Sequence, residues 1–143
     1  MRCAALALLW LAIAGPGAAL AADAACTPAR LGELARQFRA DRVEALDRDS
    51  PRWHQLHDWS GPMHARMTEI AECATQRALR RDALEALLGA PDAVAAPGAR
   101  HATVPVPAGE EHLVYWWRGG HDYLYFVVRD GAVAASAWWF AGE

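Results

Sequence analysis

Apolar residues in the last third of the chain alternate in short β-rich runs, whereas before Gly89 they recur every three or four positions. Leu113-Val114-Tyr115-Trp116-Trp117, Tyr123 to Val128 and Val133 to Phe140 read as three strands, because β-branched and aromatic residues suit a pleated, half-buried surface. Asp130-Gly131 between the last two predicts a type I′ hairpin, whose two central residues both need φ > 0. Gly119-Gly120 offers the same freedom between the first two. A two-residue loop pairs Val128 with Val133, Phe126 with Ala135, Leu124 with Ala137 and Tyr123 with Trp138. One face then carries Leu124, Phe126, Val128, Val133, Ala135, Ala137 and Trp139, the expected core side. The other carries Tyr123, Tyr125, Val127, Ala134, Ser136 and Trp138, joined by Val114 and Trp116.

The earlier part is helical in pattern. Thr27-Pro28 is a start signal, a hydroxyl at the N-cap followed by proline where a missing N–H costs nothing. Leu31, Leu34, Ala35, Phe38, Ala45 and Leu46 follow a stripe that predicts a helix from Pro28 to about Asp47. Ser50-Pro51 repeats the signal for a short helix holding Trp53, Leu56 and Trp59. After Ser60-Gly61-Pro62, the residues Met63, Met67, Ile70, Ala71 and Ala74 return at helical spacing. Arg81 to Leu88 is a further short helix, with Leu84, Leu87 and Leu88 inward, stopped by Gly89 and Pro91. Ala95 to Gly109 holds Pro97, Pro105 and Pro107 and is at most an edge strand or an extended loop. Helices first and strands last predict an α+β fold, with the N-terminal helices on one face of a three-stranded antiparallel meander.

Met1 to Ala21 stands apart. A short basic start, an apolar run from Ala4 to Ala14 and Ala19-Leu20-Ala21 form a signal-peptide pattern. The run is too short to span a bilayer, which takes about 20 residues. The expected organisation is a signal peptide over 1–21 and one α+β domain over 22–143, made of a helical part (27–75) and a helix plus sheet (80–143). The formal net charge of −3 argues against nucleic acid as a partner. With no lysine anywhere, Schiff-base chemistry and a P-loop are excluded. Outside the signal segment two cysteines remain, Cys26 and Cys73. A pair in an exported chain reads as a disulfide, stabilising by about 4 kcal/mol in the chain-entropy reading. Cys26 also has a rival reading as a lipoprotein cysteine, although Asp23 stands where an apolar residue is wanted.

Candidate chemistry is sparse. His54 and His57 share a helical face near Asp58 and His64, but the spacing matches no zinc signature and equally describes an amphipathic surface. Arg118, His121 and Asp122 gather at the Gly119-Gly120 turn, where His121 beside Asp122 has the make-up of an oriented base. No serine or cysteine nucleophile accompanies it, and a polar hairpin tip is the simpler reading. Neither group is assigned as catalytic or metal-binding, and no cofactor is expected. The stronger candidate is the second sheet face, where Trp116, Tyr123, Tyr125 and Trp138 offer aromatic anchors for a partner. Against it stand ordinary cross-strand pairing and cover by the N-terminal helices.

The run Arg81-Asp82-Ala83-Leu84-Glu85-Ala86-Leu87-Leu88-Gly89-Ala90-Pro91-Asp92, then a loop, a Tyr/Trp strand and a hairpin turning at Asp-Gly, resembles the SmpA/OmlA (BamE-like) family of small outer-membrane lipoproteins. The β-lactamase-inhibitor-protein fold is related. The resemblance spans about Leu79 to Phe140 and implies helices on one face of a small sheet and a binding role without catalysis. The poor lipobox and the additional helices from Thr27 to Thr75 depart from it. The sequence thus predicts an exported, periplasmic or secreted, protein-binding module whose partner is another envelope or secreted protein. An inhibitor or immunity protein against a secreted enzyme or toxin is the alternative, and a small hydrolase a third.

Overall fold

The computed structural model describes residues 26–142; the predicted signal peptide lies outside the described residues. Thr27 behaves as its type dictates, its hydroxyl accepting from the Arg30 N–H at 3.2 Å at the head of α1 (Pro28–Glu44). Leu31, Leu34, Ala35 and Phe38 turn inward. The helix ends three residues before the predicted Asp47, and Leu46, expected on the inner stripe, is 83% exposed, as is Val43 on the outer side at 73%. One turn of α2 (Trp53–Leu56) buries Leu56. At Gly61, a Cβ would stand 2.0 Å from the Gln55 carbonyl oxygen, so only glycine lets the chain turn into α3 (Pro62–Gln76). A buried carboxylate ties these three helices: Asp41 of α1 bonds Arg66 of α3 and, at 3.2 Å, Arg52 at the head of α2. Two guanidiniums satisfy a charge that alone would be costly to bury.

Cys26 and Cys73 form a disulfide spanning 47 positions, which staples the start of α1 to the last turns of α3. α4 (Arg81–Leu88) ends where Gly89 takes φ 83° and donates to the Glu85 carbonyl at 2.8 Å. Among the described residues, no helix is long and apolar enough to cross a membrane.

The sheet is antiparallel with order β1-β4-β5-β6: β1 (Ala93–Ala95), β4 (Glu110–Trp116), β5 (Asp122–Arg129) and β6 (Ala132–Phe140). The expected three-stranded meander is present, with β1 as a fourth strand on the β4 edge. Asp130 and Gly131 adopt φ 52° and 73°, the two positive values a two-residue hairpin requires. The helices pack on one face, where Leu113, Tyr115, Trp117, Leu124, Phe126, Val128 and Val133 meet the apolar sides of α1, α3 and α4 in one core. This is the α+β arrangement the order of elements predicted.

The register of β6 departs from expectation. Val128 faces Val133 as foreseen, but Val127 faces Ala135, so Ala134 is an extra residue in a β-bulge. Beyond it Phe126 pairs with Ser136, Leu124 with Trp138 and Tyr123 with Trp139. The one-residue shift inverts the faces. Ser136 and Trp138 turn to the helices, whereas Ala135, Ala137 and Trp139 turn away. The run Ala132 to Ala137 holds four alanines and a serine, none with a strong preference for a side. What decides is the end of the strand, where Trp138 packs against His64 and Trp117, and Ser136 bonds the Thr75 hydroxyl at 3.0 Å.

The stretch expected to be at most an edge strand or an extended loop contains a small hairpin, β2 (Arg100–His101) with β3 (Val104–Pro105). Proline is tolerated in so short an edge. Ala102 bends it with φ 49°.

Candidate functional site: the aromatic end of the sheet

The expected aromatic face is split by the bulge. Trp116, Tyr123 and Tyr125 share the side away from the helices, in a row completed by Trp139, which pairs with Tyr123. Trp138, assigned to that face from the sequence, lies on the opposite one. The cover over this side is not the N-terminal helices but the β2–β3 hairpin, whose His101 packs on Tyr123, Tyr125 and His112. Tyr123 is consequently buried and Tyr125 half-buried, and burial pushes both phenols upward. Trp116 stays open at 42% exposure.

Beneath the hairpin runs a chain of polar groups. The Tyr123 hydroxyl lies 3.0 Å from His101 Nδ1, and His101 Nε2 lies 2.7 Å from His112 Nδ1. His112 Nε2 is buried without a hydrogen-bond partner; its nearest acceptor, Glu110 Oε2, is 3.6 Å away. A hydrogen bond from Arg129 holds the Glu110 carboxyl below the usual carboxylate range. Ring nitrogens make both contacts, and the tautomers of the imidazoles set which partner donates. Burial first, then the neighbouring His112, push the pKa of His101 down.

On the helix side, the same end of the sheet gathers a second aromatic group. Trp117 is buried and donates its indole N–H to the Leu56 carbonyl at 2.8 Å. Trp59 lies edge-on to it with centroids 5.1 Å apart, and Phe140 stacks on Trp138 while touching Trp59. His64 sits among Trp59, Trp117 and Trp138, where burial lowers its pKa. The Arg118 guanidinium lies over both Trp59 and Trp117, at 5.5 and 5.2 Å from their centroids. Trp59 and Phe140 remain 47% and 39% exposed.

Beside this group opens a cleft of about 630 Å³. Trp53 and Trp59 form its apolar walls, and Arg48, Arg118, His54, His57 and Asp58 its polar rim. A neighbouring hollow of about 150 Å³ is lined by Leu46, His57, Trp116 and Gly119, so the exposed Leu46 borders both. The structure thus brings His54, His57 and Asp58, read separately in the sequence, alongside Arg118 of the β4–β5 turn. His57 spends its Nδ1 on the Trp53 carbonyl at 2.8 Å, and Asp58 caps Ser60. Among the described residues, no three His, Cys, Asp or Glu side chains are placed to hold a metal ion.

Asp122 proves to be a structural clasp. Its buried carboxylate accepts from the Ala141 N–H at 3.1 Å and from Arg118 at 3.3 Å, fixing the end of β6 and the turn together. His121 is exposed and its Nδ1 lies 3.6 Å from Asp122, beyond hydrogen-bond reach. The sequence reading missed His101, Leu46 and Phe140 as members of this region. His101 sits in a proline-rich stretch whose only hairpin signal is the pair of extended dipeptides around Ala102-Thr103, too short to register as strands.

No family model, no curated protein and no solved structure matches this chain.

Proposed function

We propose that the protein is an exported, non-enzymatic binding module of the cell envelope that grips another envelope or secreted protein at the aromatic end of its sheet. The carrying observation is the open apolar group around the cleft: Leu46, Trp59, Trp116 and Phe140 are all exposed within one end of the fold. Large apolar side chains left in water beside a concavity are the usual mark of an interface, and tryptophans are its commonest anchors. This moves the expected contact surface from Tyr123, Tyr125 and Trp138, which the hairpin and the helices cover, to Trp116 and its exposed neighbours. The Arg48 guanidinium at the edge of the cleft suits a partner carrying a carboxylate. Export is supported by the Cys26–Cys73 disulfide, a bond that persists in oxidising compartments. The helix, strand and Asp130-Gly131 hairpin also follow the order of the SmpA/OmlA resemblance.

The test is affinity capture from an envelope extract with the oxidised protein as bait. The expected result is a partner held by the native chain and lost by Leu46→Asp and by Trp116→Ala, with both variants melting as the parent does. Removal of an interface anchor typically costs about 2 kcal/mol or more, roughly 30-fold in affinity. A partner retained equally by both variants overturns the assigned surface, and recovery of the native protein from cells with free thiols overturns export.

A further inference from the structure

β6 is the outermost strand, and its outer edge is long. The Val133 N–H donates to the Leu79 carbonyl at 2.8 Å and the Arg81 N–H to the Gly131 carbonyl at 3.0 Å, so the segment between α3 and α4 covers only the first residues. Among the described residues, no backbone hydrogen bond reaches Ala134–Phe140 from the side away from β5. Strand alternation tells which groups stand open. The Asp122 carbonyl accepts from Trp117 and Arg118 on the β4 side, so its β6 neighbour Phe140 directs its own peptide groups outward. In steps of two, Trp138 and Ser136 do the same, while Ala135, Ala137 and Trp139 bond β5.

Natural sheets protect such edges with charge, proline or shortness. The opposite edge obeys this: β1 has three residues, and the Asp92 carboxylate takes the next N–H of β4, that of Trp116, at 2.7 Å. Ala134–Phe140 has no charge and no proline over a length of about 23 Å.

We propose that this edge is a homodimer seam, in which a second copy's β6 pairs antiparallel about a twofold axis through Ala137 and joins two four-stranded sheets into one of eight. The strand is self-complementary. Its first half is small (Ala134, Ala135, Ser136) and its second half large (Trp138, Trp139, Phe140). Turned end for end about Ala137, it sets Ala135 opposite the partner's Trp139 on the outer face and Ser136 opposite the partner's Trp138 on the helix face. The same register brings together the outward peptide groups of Ser136 and Trp138, giving two hydrogen-bonded pairs related by the axis. Charge agrees with the choice of a second copy, since chains of net charge −3 meet here along a neutral strip. The edge, about 23 Å long and about 10 Å deep, is short of the roughly 800 Å² per partner of a standard interface. The dimer is therefore a reversible, micromolar one.

Sedimentation of the oxidised protein across the micromolar range, together with cysteine cross-linking, tests this. Residues on the axis form a non-hydrogen-bonded pair with Cα atoms about 4.5 Å apart, within disulfide reach. Ala137→Cys should give a cross-linked dimer in air, whereas Val43→Cys, exposed on α1, should not. Ala137→Arg sets two like charges face to face and should weaken dimerisation at least about tenfold. Should that variant melt early, Ala135→Arg, at an exposed position opposite the partner's Trp139, replaces it with the same expected loss. A monomer at every concentration, a dimer indifferent to these arginines, or an uncross-linked Ala137→Cys overturns the proposal. None of these residues borders the cleft, so failure here leaves the binding reading standing.

Discussion

Replacing His101 by alanine tests what holds the β2–β3 hairpin on the sheet. The imidazole makes two hydrogen bonds, at 3.0 Å to Tyr123 and 2.7 Å to His112, each worth about 1 kcal/mol net. Its removal also strands His112 Nδ1 on a side chain only 3% exposed, whose other nitrogen already lacks a partner. Water entering the space left by the ring limits that added loss to about 1 kcal/mol. The total is about 2–3 kcal/mol, or roughly 8–12 °C in melting temperature for a domain of this size. Thermal melts followed by circular dichroism at pH 7.5 and pH 5.5 read both the size and the acid dependence. Because burial and His112 depress the His101 pKa from its ordinary 6.5, the folded protein binds fewer protons there than the unfolded chain. This contribution is complete above pH 6.5 and is lost as pH falls below it. His101→Ala should therefore melt lower at pH 7.5 and lose less on acidification than the parent. His64, also depressed by burial, leaves both proteins some acid sensitivity. A variant melting within about 2 °C of the parent, or losing as much between the two pH values, refutes the hydrogen-bonded latch.

Reduction of Cys26–Cys73 should cost about 4 kcal/mol by releasing a 47-residue constraint on the unfolded chain, read as a lower urea midpoint, and the oxidised protein should weigh two mass units less than the dithiol. Gly61→Ala should lose more than about 3 kcal/mol, since its Cβ meets two backbone carbonyl oxygens and neither can swing aside. Gly131→Ala should lose only about 1 kcal/mol despite its φ of 73°, because the crowding group there is the mobile end of Arg80; equal losses at the two glycines would contradict this distinction. Trp117→Phe should cost about 2–3 kcal/mol through the lost bond to Leu56 and the void left in the core, measured by equilibrium unfolding.

The elements whose boundaries carry local chemistry were legible in the sequence. Thr27-Pro28, Gly89 and Asp130-Gly131 each specify a backbone conformation by residue type alone, and each stands where it was expected. The core residues of α1, α3 and α4 followed from periodicity because each helix has one dry side. Two things were not legible. A bulge needs no signature residue, and in the run of alanines before Ser136 nothing local distinguishes one register from the next. Only the fit of Trp138 between His64 and Trp117 chooses, and that is a long-range fact. The cover over Tyr123 and Tyr125 was hidden for a different reason. Two-residue strands leave no periodic trace, and His101 is identified as a clamp only when His112 and Tyr123, distant in sequence, are brought beneath it.

The extra residue at Ala134 also makes this strand a phase-shifter. Were Ala134 paired regularly instead of bulging, the strand would keep the alternation its turn begins, with Trp139 inward and Trp138 outward. Deleting Ala134 has the opposite consequence: it removes the unpaired residue and leaves Val127 opposite Ala135 and every later pair as it stands. A chain lacking this residue would still set the counterpart of Trp138 against the helices, and a gap placed there keeps core tryptophan aligned with core tryptophan. At this point the spacing between residues carries more structural information than their identities.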